Sequence, residues 1–272
     1  MKPFQPEEAK APFAPDIFKG QIFTGQVFLV TGAGRGIGRL LAERLAALGG
    51  HVALCDLVPE RAEEVAQLIA RQGGSALALA ADVSREPDVQ AAVAAVLARW
   101  GRINILINAA GSYGAAYRVT HETPVEEWDQ VFASNVRGSF LCAKAVLPHM
   151  VAASGGRIIN FASNAGRSVS PLLGCSYTAA KTAVIGMTRH LSREYAKHGV
   201  LVNTIAPGPV MGERVSELLQ DDADGAALNA QIPIGRLAEP ADIVDVVLFM
   251  ASDASRYMTG AILDVSGGLI LA

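Results

Sequence analysis

Tyr177 and Lys181 stand four residues apart in Tyr177-Thr178-Ala179-Ala180-Lys181, inside a stretch with helical patterning. Four residues make one helical turn, so the phenol and the ammonium point the same way. A free tyrosine titrates near pH ~10, and using it as an acid or base at neutral pH requires roughly 4 kcal/mol of phenolate stabilisation. An ammonium about 4 Å away, at an effective dielectric of ~20, supplies roughly that. The pair is competent for proton transfer. The same spacing also arises by accident in ordinary helices, so its meaning depends on the rest of the chain.

A second constellation is Thr31-Gly32-Ala33-Gly34-Arg35-Gly36-Ile37-Gly38, which follows an apolar strand-like run and precedes the helical run Arg39 to Leu48. Glycines there let the backbone turn tightly and approach a pyrophosphate, whose charge then sits at a helix N-terminus. Asp56 ends the next strand-like run, His51 to Cys55. A strand, a glycine turn, a helix and an acid in this order are the context that dinucleotide binding requires. A carboxylate at Asp56 accepts hydrogen bonds from ribose hydroxyls and repels a 2′-phosphate, which favours NAD over NADP. Arg35 pulls towards NADP, but Leu57 follows Asp56, so the local sequence offers no second cation. The plainer alternative for Asp56 is a strand-end aspartate that caps the following helix.

The elements that must position these groups alternate. Short apolar runs at about 26–31, 51–55, 76–81, 103–108, 157–162, 200–205 and 261–265 read as strands, and helical patterns fill about 36–48, 60–72, 86–100, 124–152, 176–198 and 240–251. Such alternation predicts β-α-β units, hence an α/β fold: a single doubly wound domain with a seven-stranded, mainly parallel sheet and helices on both faces. Thr123-Pro124-Val125-Glu126 predicts a helix start with an N-cap threonine, proline at the first position and a capping-box glutamate. Gly49-Gly50, Gly73-Gly74 and Gly155-Gly156 follow helical patterns where left-handed caps need glycine. Residues 1–24, with four prolines and the near-duplicates Phe18-Lys19-Gly20-Gln21 and Phe23-Thr24-Gly25-Gln26, read as an extended arm before a catalytic domain at 25–272.

A chain of 272 residues, 51% hydrophobic, can bury about three quarters of its unfolded surface. The net charge of −3 and the scattered Lys and Arg residues argue against nucleic acid or an anionic membrane as partner. The N-terminus carries prolines and acids where an export signal would be apolar, and no apolar run approaches the ~18 residues of a membrane span. Cys55, Cys142 and Cys175 are odd in number without ligand-like spacing, and the five histidines show no His-Glu-x-x-His pattern. Reduced thiols, a cytoplasmic location and no metal are the expectation. His190 and Glu194 read as an exposed helix pair.

Taken together, the glycine turn, Asp56 and the Tyr177–Lys181 pair give the chain a resemblance to the classical short-chain dehydrogenase/reductase family over nearly all of residues 26–270. The resemblance implies a Rossmann-type fold in which Gly32, Arg35, Gly36, Ile37 and Gly38 hold the cofactor phosphates while Asp56 and Leu57 border its ribose. Asp82-Val83 resembles the adenine-contacting pair. Asn108-Ala109-Ala110-Gly111 is similar to the family's Asn-Asn-Ala-Gly run, with Ala109 in place of the second asparagine. Asn135 and Ser163, fourteen residues before Tyr177, resemble the catalytic asparagine and serine. Pro207, Gly208 and Val210 resemble the turn that holds the nicotinamide carboxamide, although Gly212 stands where the family often has threonine.

On these correspondences Tyr177 carries the proton, Lys181 favours the phenolate and holds ribose, Ser163 polarises the substrate oxygen, and Asn135 holds a water linking Lys181 to solvent. Taken singly, Ser163 could cap a strand, Asn135 could bond a helix backbone and Lys181 could be a solvated charge. Substrate contacts are expected from Ser112–His121, Asn164–Ser176 and a lid at Met211–Gln231. Arg167 is a candidate carboxylate clamp, and Asp221, Asp222 and Asp224 keep the lid tip hydrated. The favoured activity is NAD-dependent oxidation of a secondary alcohol or diol. Rival readings are NADP-dependent reduction of a 3-oxoacyl thioester on a carrier protein and a non-catalytic nucleotide-binding scaffold. Apolar faces at 124–152, 176–198 and 261–272 resemble the family's oligomer surfaces, so a homotetramer is expected, with a dimer next.

Overall fold

A computed structural model of the chain describes residues 18, 20–114, 118–170, 172–212, 215 and 222–271, with backbone only at 222–224. Seven strands, β1 (Val27–Thr31), β2 (His51–Asp56), β3 (Ser75–Ala80), β4 (Ile105–Asn108), β5 (Gly156–Phe161), β6 (Val200–Pro207) and β7 (Ile262–Val265), form one sheet in the order β3-β2-β1-β4-β5-β6-β7. Every pairing is parallel, not merely most of them. Parallel neighbours need crossovers. These come from α1 (Gly36–Ala47), α2 (Pro59–Arg71), α3 (Glu86–Trp100), α4 (Val125–Phe132) with α5 (Gly138–Ala152), α6 (Cys175–Tyr195), and α7 (Asp222–Gln231) with α8 (Pro240–Ala251).

Alternation along β1 shows how the sheet is buried on both sides. Phe28 and Val30 join Leu41 and Leu45 of α1, Val65 and Ile69 of α2, and Val247 and Leu248 of α8 in one core. Val27 and Leu29 point the other way, into a core with Val93 of α3 and Val146 and Met150 of α5. Two buried faces require near-continuous apolar strands, as the sequence shows. The strand order reverses between β1 and β4, which opens a crevice at the strands' C-terminal ends. No helix among the described residues is long and apolar enough to cross a membrane.

Four local expectations are corrected. The helix expected at 124–152 is two helices joined by a wide π turn at Ala133–Arg137. Thr123 does not cap α4: Pro124 occupies the cap position, and the Thr123 hydroxyl bonds back to Val119 O at 3.4 Å. Gly49 and Gly73 take the left-handed conformation at φ 91° and 81°, but after α5 the position falls on Ser154 (φ 53°), one residue before Gly155. Phe23, inside the stretch read as an arm, is buried against Phe28, and its N–H donates to Leu48 O at 2.9 Å. Residues 1–17 and 19 lie outside the described residues.

A buried polar chain crosses the sheet just below the crevice. Asn108 Nδ2 donates to Asn160 Oδ1 at 2.9 Å, Asn160 Nδ2 to Thr188 Oγ1 at 2.9 Å, and Thr188 meets the Thr204 hydroxyl. It locks β4, β5, α6 and β6 into one register. Truncating Asn160 would strand partners on both sides, at about 1–3 kcal/mol for each orphaned group.

Candidate active site

Between β1 and α1 the chain passes through Gly32 (φ 68°) and Gly36 (φ 55°), both in the left-handed region. A Cβ on Gly32 would lie 2.9 Å from Ala110 Cα, and one on Gly38 would collide with the Gly32 carbonyl. Only glycine lets the turn, the end of β4 and the first turn of α1 pack backbone to backbone. Gly36 differs, because no atom lies within 4 Å of its Cβ position. The amides of Gly36, Ile37 and Gly38 precede the bond from Arg39 N–H to Arg35 O at 3.2 Å, so they belong to the helix end that lacks intrahelical partners. An open glycine face at the positive end of a helix dipole fits a pyrophosphate.

Asp56, buried at the end of β2, faces that turn. Its Oδ2 accepts the Gly34 N–H at 2.8 Å and its Oδ1 the Val58 N–H at 3.1 Å. A carboxylate offers about four lone-pair sites, so two remain for hydroxyls. The capping alternative is met only in the turn, since α2 starts after Val58 without a side-chain cap. Leu57 is 69% exposed. The expectation that no second cation stands here is overturned by α2, because a Cβ on Gly34 would lie 2.6 Å from Arg61 Cβ and 2.8 Å from Asp56 Oδ2. Arg61 is five residues beyond Asp56 and becomes its neighbour only when the helix folds back.

The remaining cofactor candidates line the same edge. Asp82 Oδ1 accepts from the Ser84 N–H at 2.9 Å and the Ser84 hydroxyl at 2.7 Å. Val83 is buried where a Cβ on Gly138 would lie 2.6 Å from its Cγ2. Asn108 Oδ1 is buried and unpartnered, while Ala109 packs against the first core. Gly208 N–H donates to Val265 O at 2.9 Å, which holds the turn after Pro207 against β7, and Val210 bridges to Ala238.

Across the crevice, three of the four proposed catalytic groups converge in measurable contact. Lys181, 5% exposed, donates from Nζ to Phe161 O at 2.8 Å, and Nζ stands 5.6 Å from the Tyr177 ring centroid. A Cβ on Gly111 would collide with Asn135 Oδ1 and lie 3.6 Å from Lys181 Nζ, so the amide oxygen and the ammonium flank one glycine. Asn135 Nδ2 donates to Ser112 O at 2.6 Å and Val131 O at 2.8 Å, and its Oδ1 is buried without a partner. The π turn supplies this geometry: the widened backbone lets the side chain reach Val131 O one turn back and Ser112 across the cleft.

Ser163 follows β5 and is carried on a short turn clipped to α6, where Thr182 Oγ1 donates to Gly166 O at 3.1 Å. Its hydroxyl donates to Asn164 Oδ1 at 3.0 Å and accepts the Ala165 N–H at 3.2 Å. Asn164 was legible only as part of a loop. Asn160, Thr188 and Thr204 belong to no motif in the sequence; a polar residue inside an apolar strand is the signal that finds Asn160 and Thr204, while Thr188 lies in α6.

Charges around the cleft are mostly spent. Arg167 Nη1 pairs with Asp264 Oδ2 at 2.9 Å, so it is no open clamp. Arg118 and Glu127 stand 3.7 Å apart beside Tyr113 and Gln130 in a cleft of about 530 Å³ that Arg35 and Gly111 also line. His190 and Glu194 form the expected exposed pair at 3.7 Å. Burial pushes the Cys55 thiol up to about 12 and the Cys142 thiol higher, which keeps both unreactive. The side chains of Asp221, Asp222 and Asp224 lie outside the described residues.

The family profile described as enoyl-(acyl carrier protein) reductase matches residues 32–270. D-threitol dehydrogenase of Mycolicibacterium smegmatis is 40% identical over 90% of this chain and 92% of its own length. The chain belongs to the short-chain dehydrogenase/reductase family. A 3-oxoacyl-[acyl-carrier-protein] reductase of Staphylococcus epidermidis is 36% identical over 89% of this chain and 98% of its own. The crystal structure of a 3-oxoacyl-[acyl-carrier protein] reductase with bound NAD from Brucella melitensis superposes with a TM-score of 0.84 at 32% identity, covering 93% of this chain and 95% of that one. As a short-chain dehydrogenase/reductase, the protein is an oxidoreductase of alcohol and ketone groups that uses a nicotinamide cofactor.

Proposed function

We propose that the protein oxidises a small secondary alcohol or diol to a ketone with NAD⁺, using Tyr177 as the proton carrier. The supporting observation is the fixed ammonium: Lys181 Nζ is pinned by Phe161 O, 5.6 Å from the Tyr177 ring. When bound, a nicotinamide cofactor would supply the hydride acceptor. Tyr177, as the phenolate that Lys181 stabilises beforehand, takes the substrate's hydroxyl proton and becomes the neutral phenol. Ser163 turns its hydroxyl from Asn164 to the substrate oxygen, where one such donor is worth on the order of 10²–10³ in rate. The unpartnered Oδ1 of Asn135 accepts from a water that passes protons between Lys181 and solvent. The amides of Gly36, Ile37 and Gly38 would hold the pyrophosphate, and the two spare lone pairs of Asp56 the ribose hydroxyls.

A neutral, hydroxylated substrate suits a cleft whose cations Arg167 and Arg118 already face Asp264 and Glu127. The likeness to D-threitol dehydrogenase points the same way. Reduction of a 3-oxoacyl thioester is the second reading, favoured by the carrier-protein reductases among the relatives. An acidic carrier wants a basic docking face, and Met150–Ala153 carries no cation. Following NADH absorbance over a panel of four-carbon and five-carbon polyols, simple secondary alcohols and 3-oxoacyl thioesters separates the two. Turnover of polyols with NAD⁺ is expected, and thioester reduction with no alcohol oxidation would overturn the first reading.

The same proposal has a cytosolic homotetramer. Phe140 on α5, Trp128 on α4, and Tyr257 and Leu271 near the C-terminus are large apolar side chains left exposed. Light scattering is expected to give four copies, and a monomer would refute the assembly.

A further inference from the structure

Among the described residues, Arg61 is a cation that the fold, rather than the sequence, brings beside Asp56 at the edge of the glycine turn. Its Cβ and the Asp56 carboxylate crowd the same side of Gly34, so both flank the edge of the glycine turn. The neighbours on α2 explain why its charge is unspent. Glu64, at i+3 from Arg61, is the natural helix partner, but Arg39 of α1 takes it at 3.0 Å and also holds Glu43 at 2.9 Å. Among the described residues the Arg61 side chain has no ion pair or hydrogen bond, and the residue is exposed. Two anionic side chains near the turn are thus neutralised by Arg39, while Asp56 is satisfied by backbone N–H groups.

We infer that Arg61 sets how well a 2′-phosphorylated cofactor is tolerated: its guanidinium meets the 2′-phosphate that Asp56 repels. This rests on the assignment of Asp56 to the adenosine ribose. With NAD the 2′ position is a hydroxyl that the carboxylate holds, and the guanidinium has no anion to meet. With NADP a dianion arrives beside a carboxylate whose own charge is shared with two amides. A long arginine rooted on the first turn of α2, beside that carboxylate, then offers a counter-charge. NAD preference and residual NADP use therefore have separate residues behind them, Asp56 for the first and Arg61 for the second.

Calorimetric titration of the apo-protein with 2′,5′-ADP and with 5′-ADP isolates this contact from catalysis. In R61A, affinity for 2′,5′-ADP is expected to fall about tenfold or more while affinity for 5′-ADP changes less than twofold, because a charge-assisted hydrogen bond is worth about that ratio. R61K should recover part of the loss, and the gap between wild type and R61A should narrow in high salt. Equal losses for both ligands, or none for 2′,5′-ADP, would overturn the inference. Fluorescence titration of wild type with NADH and NADPH keeps the two claims apart. Tighter NADPH binding by wild type would sink the NAD preference, whereas the R61A ratio alone decides Arg61.

Discussion

Tyr177→Phe is expected to lower kcat on the order of 10³-fold while leaving the dissociation constant for NADH within about twofold, since the change removes one hydroxyl that transfers a proton in the transition state. The ring stays, so its packing against the Lys181 side chain stays with it. Stopped-flow or steady-state absorbance gives the first quantity and NADH fluorescence the second. Turnover within tenfold of wild type would remove Tyr177 from the reaction. Loss of activity together with loss of NADH binding would mean that the substitution had damaged the crevice instead.

Lys181→Met tests the electrostatics directly. A positive charge 5.6 Å from the ring contributes about 3 kcal/mol at an effective dielectric of ~20, or ~2 pH units of phenolate stabilisation. Lysine favours the charged phenolate, so its removal makes the proton harder to lose. Oxidation needs the phenolate ready, and the alkaline rise of kcat/KM should therefore move up by ~2 units. Activity at pH 7 should drop about 100-fold and return in part as the pH is raised. A uniform loss at every pH would show that Lys181 only braces β5 through its bond to Phe161 O.

Much of this was legible because the relevant signals are local. The turn from Thr31 to Gly38 must bend and approach a neighbouring backbone, which only glycine allows, and the positions of those glycines are visible in the sequence. Tyr177 and Lys181 are one helical turn apart, so their proximity follows from α6 alone. What stayed hidden depends on tertiary geometry. Arg61 is far from the glycine turn along the chain and adjacent to it in space. Arg167 looked like an open cation until β7 brought Asp264 to it. The break in the helix at Asn135 has no proline or glycine to announce it within 133–136, and the register of hydrogen bonds that makes a π turn is not written in hydropathy.

That wide turn makes chain length between β4 and β5 a functional quantity. A π turn holds one residue more than regular winding requires. Deleting a single residue from 133–134 would let the segment close into an ordinary helix with its apolar character unchanged, yet turn Asn135 about the axis away from its present direction. Its amide oxygen would leave the glycine it shares with the ammonium. A one-codon loss at this place is invisible to composition and directed wholly at the proton path, so length variation among descendants of this gene should be borne by the surface loops and not by this segment.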